Sequence, residues 1–417
     1  AVTGSYSAFL WQISKNPNWN QSNWALSTGK PTSEAHFISS LDIALIYCEK
    51  PAVSAGLFTL NKVKAAPVKL DMETVKNETV RAVFANSGIA NACAPGCDEA
   101  AKGMQKMAAD ALGIKPEEVL VSSTGVIGVP LDLEPMHKGL PQLVKELTDA
   151  PSGSDDAAHA IMTTDTRKKE YAIQFELEGK TVTIGAIAKG SGMIHPHMGT
   201  MLCYITTDCA IRKAMLKKAL KEVCDVSFNR ISVDGDTSTN DSLIMLADGL
   251  ADNPVIETEN EDFETFVKAL QHLCIVMAKR MARDGEGAKH LITCTVSHAD
   301  NEAEAELLSK SVISSTLTKA AIFGCDANWG RVLCAMGYSG ADFDPSTVDI
   351  SFASKAGEIL VCEKGNGLSF DEDLAAKILH EEEVQILIDM HEGNSSVTCW
   401  GCDITYDYIR INGDYRT

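Results

Sequence analysis

The densest block of chemistry-bearing residues is KGSGMIHPHMGTMLCYITTD, from Lys189 to Asp208, and within it the step Gly199-Thr200. A threonine hydroxyl is a weak nucleophile until a base takes its proton. If the Thr is the first residue of a chain, its own α-amine, with a pKa of about 7.7–8.0, can be that base. Exposing the amine requires breaking the preceding peptide bond. The hydroxyl can do this by attacking the carbonyl before it, and the resulting ester is then hydrolysed. Glycine before the Thr permits close approach and unusual backbone angles. Thr rather than Ser restricts χ1 and aims the hydroxyl. A Gly-Thr pair in isolation equally describes a turn before a strand.

Acyl chemistry also needs hydrogen-bond donors where the oxyanion develops. Ser122-Ser123-Thr124-Gly125 follows an apolar run and offers hydroxyls and turn N–H groups. The same run also reads as a plain ST-turn or helix cap. Gly190-Ser191-Gly192 suggests a dinucleotide loop, but the third glycine is missing and a proline and a strand follow where a helix is required. His195 and His197 form an HxH pair without further ligands at metal spacing, so pocket or loop histidines are expected there. Small residues, amides and carboxylates also cluster at 85–96, 234–242, 284–290 and 324–331, as in active-site loops and in ordinary turns.

The elements that must hold these residues are interleaved. Residues 41–48, 80–85, 119–125, 201–209 and 291–297 read as strands, being short runs rich in β-branched and apolar residues, and 181–192 reads as a strand followed by a Gly-rich loop. Residues 98–112 read as a helix with an Asp start and Gly113 as its stop. Residues 211–224 and 261–283 read as amphipathic helices. The tail, 385–411, alternates like several antiparallel strands. PSGSDD at 151–156 reads as an exposed loop. No repeat of 20 to 50 residues is present, which excludes solenoids and propellers. A mixed α/β protein of intimately packed layers is expected.

Composition narrows the partners. The 417 residues are 45% hydrophobic and 23% charged, ordinary for a folded chain, with no run of about 20 apolar residues to span a membrane. Fifty-seven Asp and Glu against 37 Lys and Arg give a formal charge of −20, which repels phosphate backbones and anionic lipid. Nucleic acid and membrane are therefore not expected as partners. The 13 cysteines include several inside apolar runs, such as Cys274 and Cys294, as buried reduced thiols do. A metal site from Cys93, Cys97, Cys399 and Cys402 lacks the usual spacing. The opening residues lack the basic start and apolar core of a secretory signal, and a cytoplasmic location is expected; a removed leader stays open because the chain does not begin with Met.

Taken together, the stretches at 55–68, 85–93, 122–128, MTTDT (162–166), KGSGMIHPHMGTML (189–202), 228–241, DGEGAKH (284–290), 322–331 and 400–417 resemble the ornithine acetyltransferases, the bifunctional glutamate N-acetyltransferase family of arginine biosynthesis. The resemblance runs in the family's order over about nine tenths of the chain. It implies a self-processing N-terminal-nucleophile enzyme of the ornithine acetyltransferase, DmpA-like fold. Cleavage would fall between Gly199 and Thr200, giving an α chain of 1–199 and a β chain of 200–417. Thr200 would be the nucleophile that carries acetyl from N2-acetylornithine to glutamate in a ping-pong cycle. Thr124 and Gly125 match the oxyanion hole; Thr163, Lys189, Thr200, Glu286, Asn412 and Thr417 match substrate contacts, with Thr164 beside Thr163 as an open choice. No cofactor or metal is implied. Whether acetyl-CoA also serves as a donor, which would make the enzyme bifunctional, is left open, and two α with two β chains are implied as the assembly.

Three positions depart from the family. Gly199 stands for the usual Ala, His197 for a common Asn, and residues 1–40 do not match. Two other readings remain at this stage. One is an amidase or aminopeptidase of the same fold, in which water attacks the acyl-enzyme. The other is a non-catalytic binding protein that keeps the fold uncut.

Overall fold

The computed structural model describes residues 24–29, 43–195 and 201–415. The first sheet contains β1 (Trp24–Gly29), β2 (Ile43–Phe58), β3 (Val80–Asn86), β4 (Val119–Ser123), β5 (Lys169–Leu177), β6 (Lys180–Lys189), β7 (Leu202–Thr207) and β9 (Ser242–Ala247). Its order is β4-β3-β2-β9-β7-β6-β5, with β1 pairing the start of β2. The second sheet contains β8 (Ile231–Ser232), β10 (Leu291–Ala299), β11 (Asp349–Ser354), β12 (Gly357–Glu363), β13 (Asn366–Gly367), β14 (Glu383–Asp389) and β15 (Ser395–Cys402), in the order β13-β12-β11-β14-β10-β15-β8. Both sheets mix parallel and antiparallel neighbours, and the protein is of the expected mixed α/β class.

The helix Glu261–Arg283 joins the two layers. The Asn260 side chain accepts the Phe263 N–H at 3.0 Å, acidic residues fill the first turn, and Arg280 and Arg283 close the last one. That arrangement satisfies an orphan donor and complements the helix dipole. Its buried stripe (Phe266, Leu270, Leu273, Met277 and Met281 among others) repeats every three or four residues. Phe266 meets Phe175 of β5 at 6.3 Å between ring centroids. The same apolar cluster takes in Leu291 and Trp400 of the second sheet, so one core serves both layers.

Three local expectations need correction. Residues 151–156 open a helix, Pro151–Ala160, instead of a loop. Pro151 sits at a first-turn position where its missing N–H costs nothing, and small residues such as Ser154, Ala157 and Ala160 are buried. The helix read from Asp98 starts at Cys97 after a left-handed Gly96, although Gly113 does stop it at φ +67°. In the tail, β14 and β15 are not hairpin partners. They flank β10, parallel and antiparallel respectively. Residues Tyr406–Asp414 are helical, because the Thr405 hydroxyl accepts the Tyr408 N–H at 3.3 Å and caps a first turn.

Candidate active site

The run Ser122 to Gly125 is divided by burial. Ser122 and Ser123 end β4 and lie inside, and the Ser123 hydroxyl donates to Asn86 Oδ1 at 2.6 Å. The Thr124 N–H donates to the Asn86 carbonyl at 3.0 Å. Of the donors expected in this run, the Thr124 hydroxyl and the Gly125 N–H are left, the latter without a partner among the described residues. Gly125 has φ +129°, and a Cβ there would lie 2.2 Å from the Gly88 carbonyl carbon. Only glycine fits that approach. The turn is held from the other side by Asn240, whose amide donates to the carbonyls of Ala90 at 2.6 Å and Ser123 at 2.8 Å. Asn240 belongs to the 234–242 cluster, and it precedes β9 by two residues.

Lys189 closes β6 and is buried. Its ammonium donates to the Thr163 hydroxyl at 2.8 Å and to the Thr124 hydroxyl at 3.4 Å. Three residues far apart in sequence thus meet at one point. Thr164 turns the other way, its hydroxyl 2.7 Å from that of Ser191. The cross-strand partner of Lys189 is Leu202, the first residue of β7. Gly199, Thr200, His197 and Thr417 lie outside the described residues.

Behind Lys189 runs a buried ladder of alternating charge. Asp165 accepts the Lys169 ammonium at 2.6 Å, the Gly190 N–H at 2.7 Å and the Thr163 N–H at 3.1 Å. Lys169 also donates to Asp284 at 2.6 Å, and Lys189 stands 3.9 Å from Asp165. Burial by itself would raise the Asp165 carboxyl, but Lys189 and then Lys169 outweigh it and hold it below the usual carboxylate range. Burial lowers the Lys189 ammonium from its ordinary value, with Asp165 the main force opposing that. Sequence reasoning missed Asp165, Lys169 and Asp284 in this role. Asp165 and Asp284 sit inside quoted motifs, whereas Lys169 belongs to a run, RKK, that reads as a solvated face.

Glu286 is buried on a loop whose N–H donates to the Ser191 carbonyl at 2.8 Å. The Asn412 amide donates to its Oε2 at 2.6 Å. Gly192 makes room for this carboxylate, since a Cβ there would lie 2.4 Å from Glu286 Cδ. Ser191 links the two groups, touching Thr164 by its hydroxyl and Glu286 by its carbonyl. The geometry therefore offers a cation backed by hydroxyls, a separate anion and a turn with a free N–H. Those are the parts for holding a zwitterionic amino acid beside an acyl group. The CxxC pair does not join this site: Cys399 meets Ser309 at 3.0 Å, and Cys402 faces Lys319 at 3.6 Å.

The ArgJ family model matches residues 32–417. Over 378 residues the chain is 52% identical to the arginine biosynthesis bifunctional protein ArgJ 1 of Clostridium acetobutylicum, spanning 90% of this chain and 92% of that protein. The corresponding protein of Bacillus subtilis is 45% identical over 382 residues, with 91% and 92% covered. Among solved structures, the arginine biosynthesis bifunctional protein ArgJ of Bacillus halodurans is 44% identical, covers 51% of this chain and 98% of its own, and superposes with a TM-score of 0.49. With a family match over nearly its whole length and relatives at such identity, the chain belongs to the ArgJ family.

Proposed function

We propose that this protein is an ornithine acetyltransferase of arginine biosynthesis, which cuts itself between Gly199 and Thr200 and then uses Thr200 as its nucleophile. The relatives named as arginine biosynthesis bifunctional proteins support the pathway. The observation that carries the reading is the meeting of Thr124, Thr163 and Lys189, with Gly125 left free to donate, next to the start of β7.

In the first half-reaction the Thr200 α-amine takes the hydroxyl proton, and Oγ attacks the acetyl carbonyl of N2-acetylornithine. Charge gathers on the carbonyl oxygen, where the Thr124 hydroxyl and Gly125 N–H donate. The tetrahedral species collapses as the amide C–N bond breaks. The ornithine nitrogen leaves with the proton, and an acetyl ester stays on Thr200. In the second half-reaction the α-amine of glutamate attacks that ester through the same oxyanion, the acyl C–Oγ bond breaks, the proton lost by the amine returns through the Thr200 α-amine to Oγ, and N-acetylglutamate departs. Lys189 with Thr163 binds the α-carboxylate common to both substrates. Glu286, oriented by Asn412 and joined by Thr417, binds the side-chain ammonium of ornithine. No step calls on a metal or cofactor. Acetyl-CoA serves as the second acetyl donor.

The α chain is 1–199 and the β chain 200–417, assembled two and two in the cytoplasm. No helix among the described residues is long and apolar enough to cross a membrane. Intact mass spectrometry before and after incubation with N2-acetylornithine tests the cycle. The expectation is two chains divided at 199–200 and one added acetyl group on the second. Thr200→Ala should stay whole and inactive, and a processed, active Thr200→Ala protein would overturn the mechanism. Acetate released without glutamate would reassign the enzyme as a hydrolase.

A further inference from the structure

A cavity of about 620 Å³ opens between the loop before β5, the end of the helix Glu261–Arg283 and the start of β14. None of Thr124, Thr163, Lys189, Glu286 or Asn412 lines it. Its wall holds seven Lys and Arg against three Asp and Glu on a chain whose formal charge is −20, and three further carboxylates, Asp155, Asp165 and Glu170, reach Lys168 and Lys169 from behind it. A surface selected only for solubility would not gather cations into one concavity of an acidic protein.

The cations differ in how far they are already engaged. Lys169 is spent on Asp165 and Asp284, and Lys168 is spent on Asp155 and on Glu170 at 3.3 Å. Arg283 reaches Glu382 at 3.0 Å, but that carboxylate is 79% exposed and free to swing away. Arg280 lies over the Tyr171 ring at 5.0 Å, and Lys289 over the Phe323 ring at 5.3 Å, contacts that fix the side chains without neutralising them. Lys279 makes no ion pair among the described residues, and Arg167 acts on the Glu382 carboxylate only at longer range. Gly285 and Gly287 leave part of the wall as bare backbone.

We infer that this cavity binds a small ligand carrying a diphosphate or longer polyphosphate. A single carboxylate would pair with only one or two of the four wall cations, Arg167, Lys279, Arg280 and Lys289, that hold no ion pair among the described residues. A diphosphate or triphosphate carries about three or four negative charges and presents many acceptor oxygens to guanidinium forks. The volume falls in the range of small-molecule sites, about 300–1,000 Å³. A free nucleoside polyphosphate and the diphosphate of coenzyme A share this chemistry.

Titration calorimetry on the whole protein at low salt, with pyrophosphate, ATP and coenzyme A as probes, tests the assignment. The double variant R167E/K279E, with R167Q/K279Q as the milder pair should the first not fold, removes two of these four cations. The expected result is one-to-one binding by at least one probe, weakened at least about tenfold in the variant. Acetyl exchange between acetylornithine and glutamate should be unchanged. Binding of coenzyme A alone would place the acyl donor's phosphates here, and equal binding of all three would mark a general diphosphate site. No binding by any probe, or a variant that binds like the parent, overturns the inference. The readout is binding, so it stands or falls separately from the acetyl-transfer chemistry.

Discussion

Replacing Asp165 with Asn removes one negative rung from the ladder behind Lys189 and leaves every atom nearly in place. The side chains of Lys169, Asp165, Asp284 and Lys189 are 1%, 0%, 6% and 6% exposed, so solvent does not screen the loss. Breaking a buried ion pair from one side costs about 3–5 kcal/mol. An unfolding entropy of about 2.1 cal/mol/K per residue then turns this into a fall of about 4–6 °C in melting temperature. The charge acting on Lys189 can be sized separately. At 3.9 Å, an effective dielectric of about 20 gives an attraction of about 4 kcal/mol. That attraction favours the charged lysine, and the Asn dipole restores only a part of it. In Asp165→Asn the Lys189 ammonium, already lowered by burial, loses the main force opposing that and falls further.

Two signs follow. Asp165 has a depressed carboxyl, so its contribution to stability is present above the ordinary Asp pKa, about 4, and is lost as pH falls through the folded value. The melting-temperature gap between parent and variant should therefore close in acid. Lys189 holds the substrate carboxylate only while protonated, so the alkaline limb of kcat/KM should move to lower pH. Acetyl exchange across pH 6 to 10, with melting curves at pH 3.5 and 7.5, reads both. A lower melting temperature with an unmoved alkaline limb would refute the claim that Asp165 sets the charge of Lys189.

Three further substitutions probe the surroundings. Gly192→Ala places a methyl group 2.4 Å from Glu286 Cδ and should push the carboxylate off Asn412, raising KM for amino-acid substrates about tenfold with kcat little changed; an unaltered KM removes Glu286 from binding. Gly125→Ala puts a Cβ 2.2 Å from the Gly88 backbone at φ +129°, and displacing that N–H should lower kcat about 100-fold, measured as acetyl exchange by already cleaved enzyme. Asp71→Asn tests a buried carboxyl that accepts the Val121 N–H at 2.9 Å and that burial raises well above its usual value. Stability tied to a raised carboxyl is full below the unfolded pKa and is lost as pH rises through the folded one, so the variant should gain on the parent between pH 5 and 8.5 in thermal melts; a constant difference would contradict it.

Much of this architecture was legible from pattern. The helix Glu261–Arg283 follows directly from its amphipathic stripe and Asn cap, and the strands around Val80, Val119 and Leu291 follow from short β-branched runs. The tail failed because alternation over a few residues suits a helix turn as well as a strand, and the Thr405 cap decided it. At the site, Lys189, Thr163, Thr124 and Gly125 stood out through their motifs, and they do meet. The ladder did not stand out, because the burial of Lys169 depends on Asp284, 115 residues later. Gly192 looked like one half of a phosphate loop. Its requirement is room for a carboxylate, a contact made by a loop distant in sequence.

The order of the first sheet bears on what a cut at 199–200 would do. Strands β7 and β9 follow position 200 in the chain, while β2 and β6 precede it. In space β9 and β7 are neighbours inserted between β2 and β6, since β9 pairs with β2 over six residue positions and β7 pairs with β6 over six more. The later strands therefore lie between earlier ones on both sides. Separating the two pieces would break both ladders and open the buried cluster around Ile184, Cys203, Ile205 and Met245. Cleavage can thus create a new amino end without releasing either product. The Lys189–Leu202 pairing is made by the sheet and does not depend on the peptide bond before position 200. On this topology the two chains should migrate together in native conditions and part only when the sheet itself is unfolded.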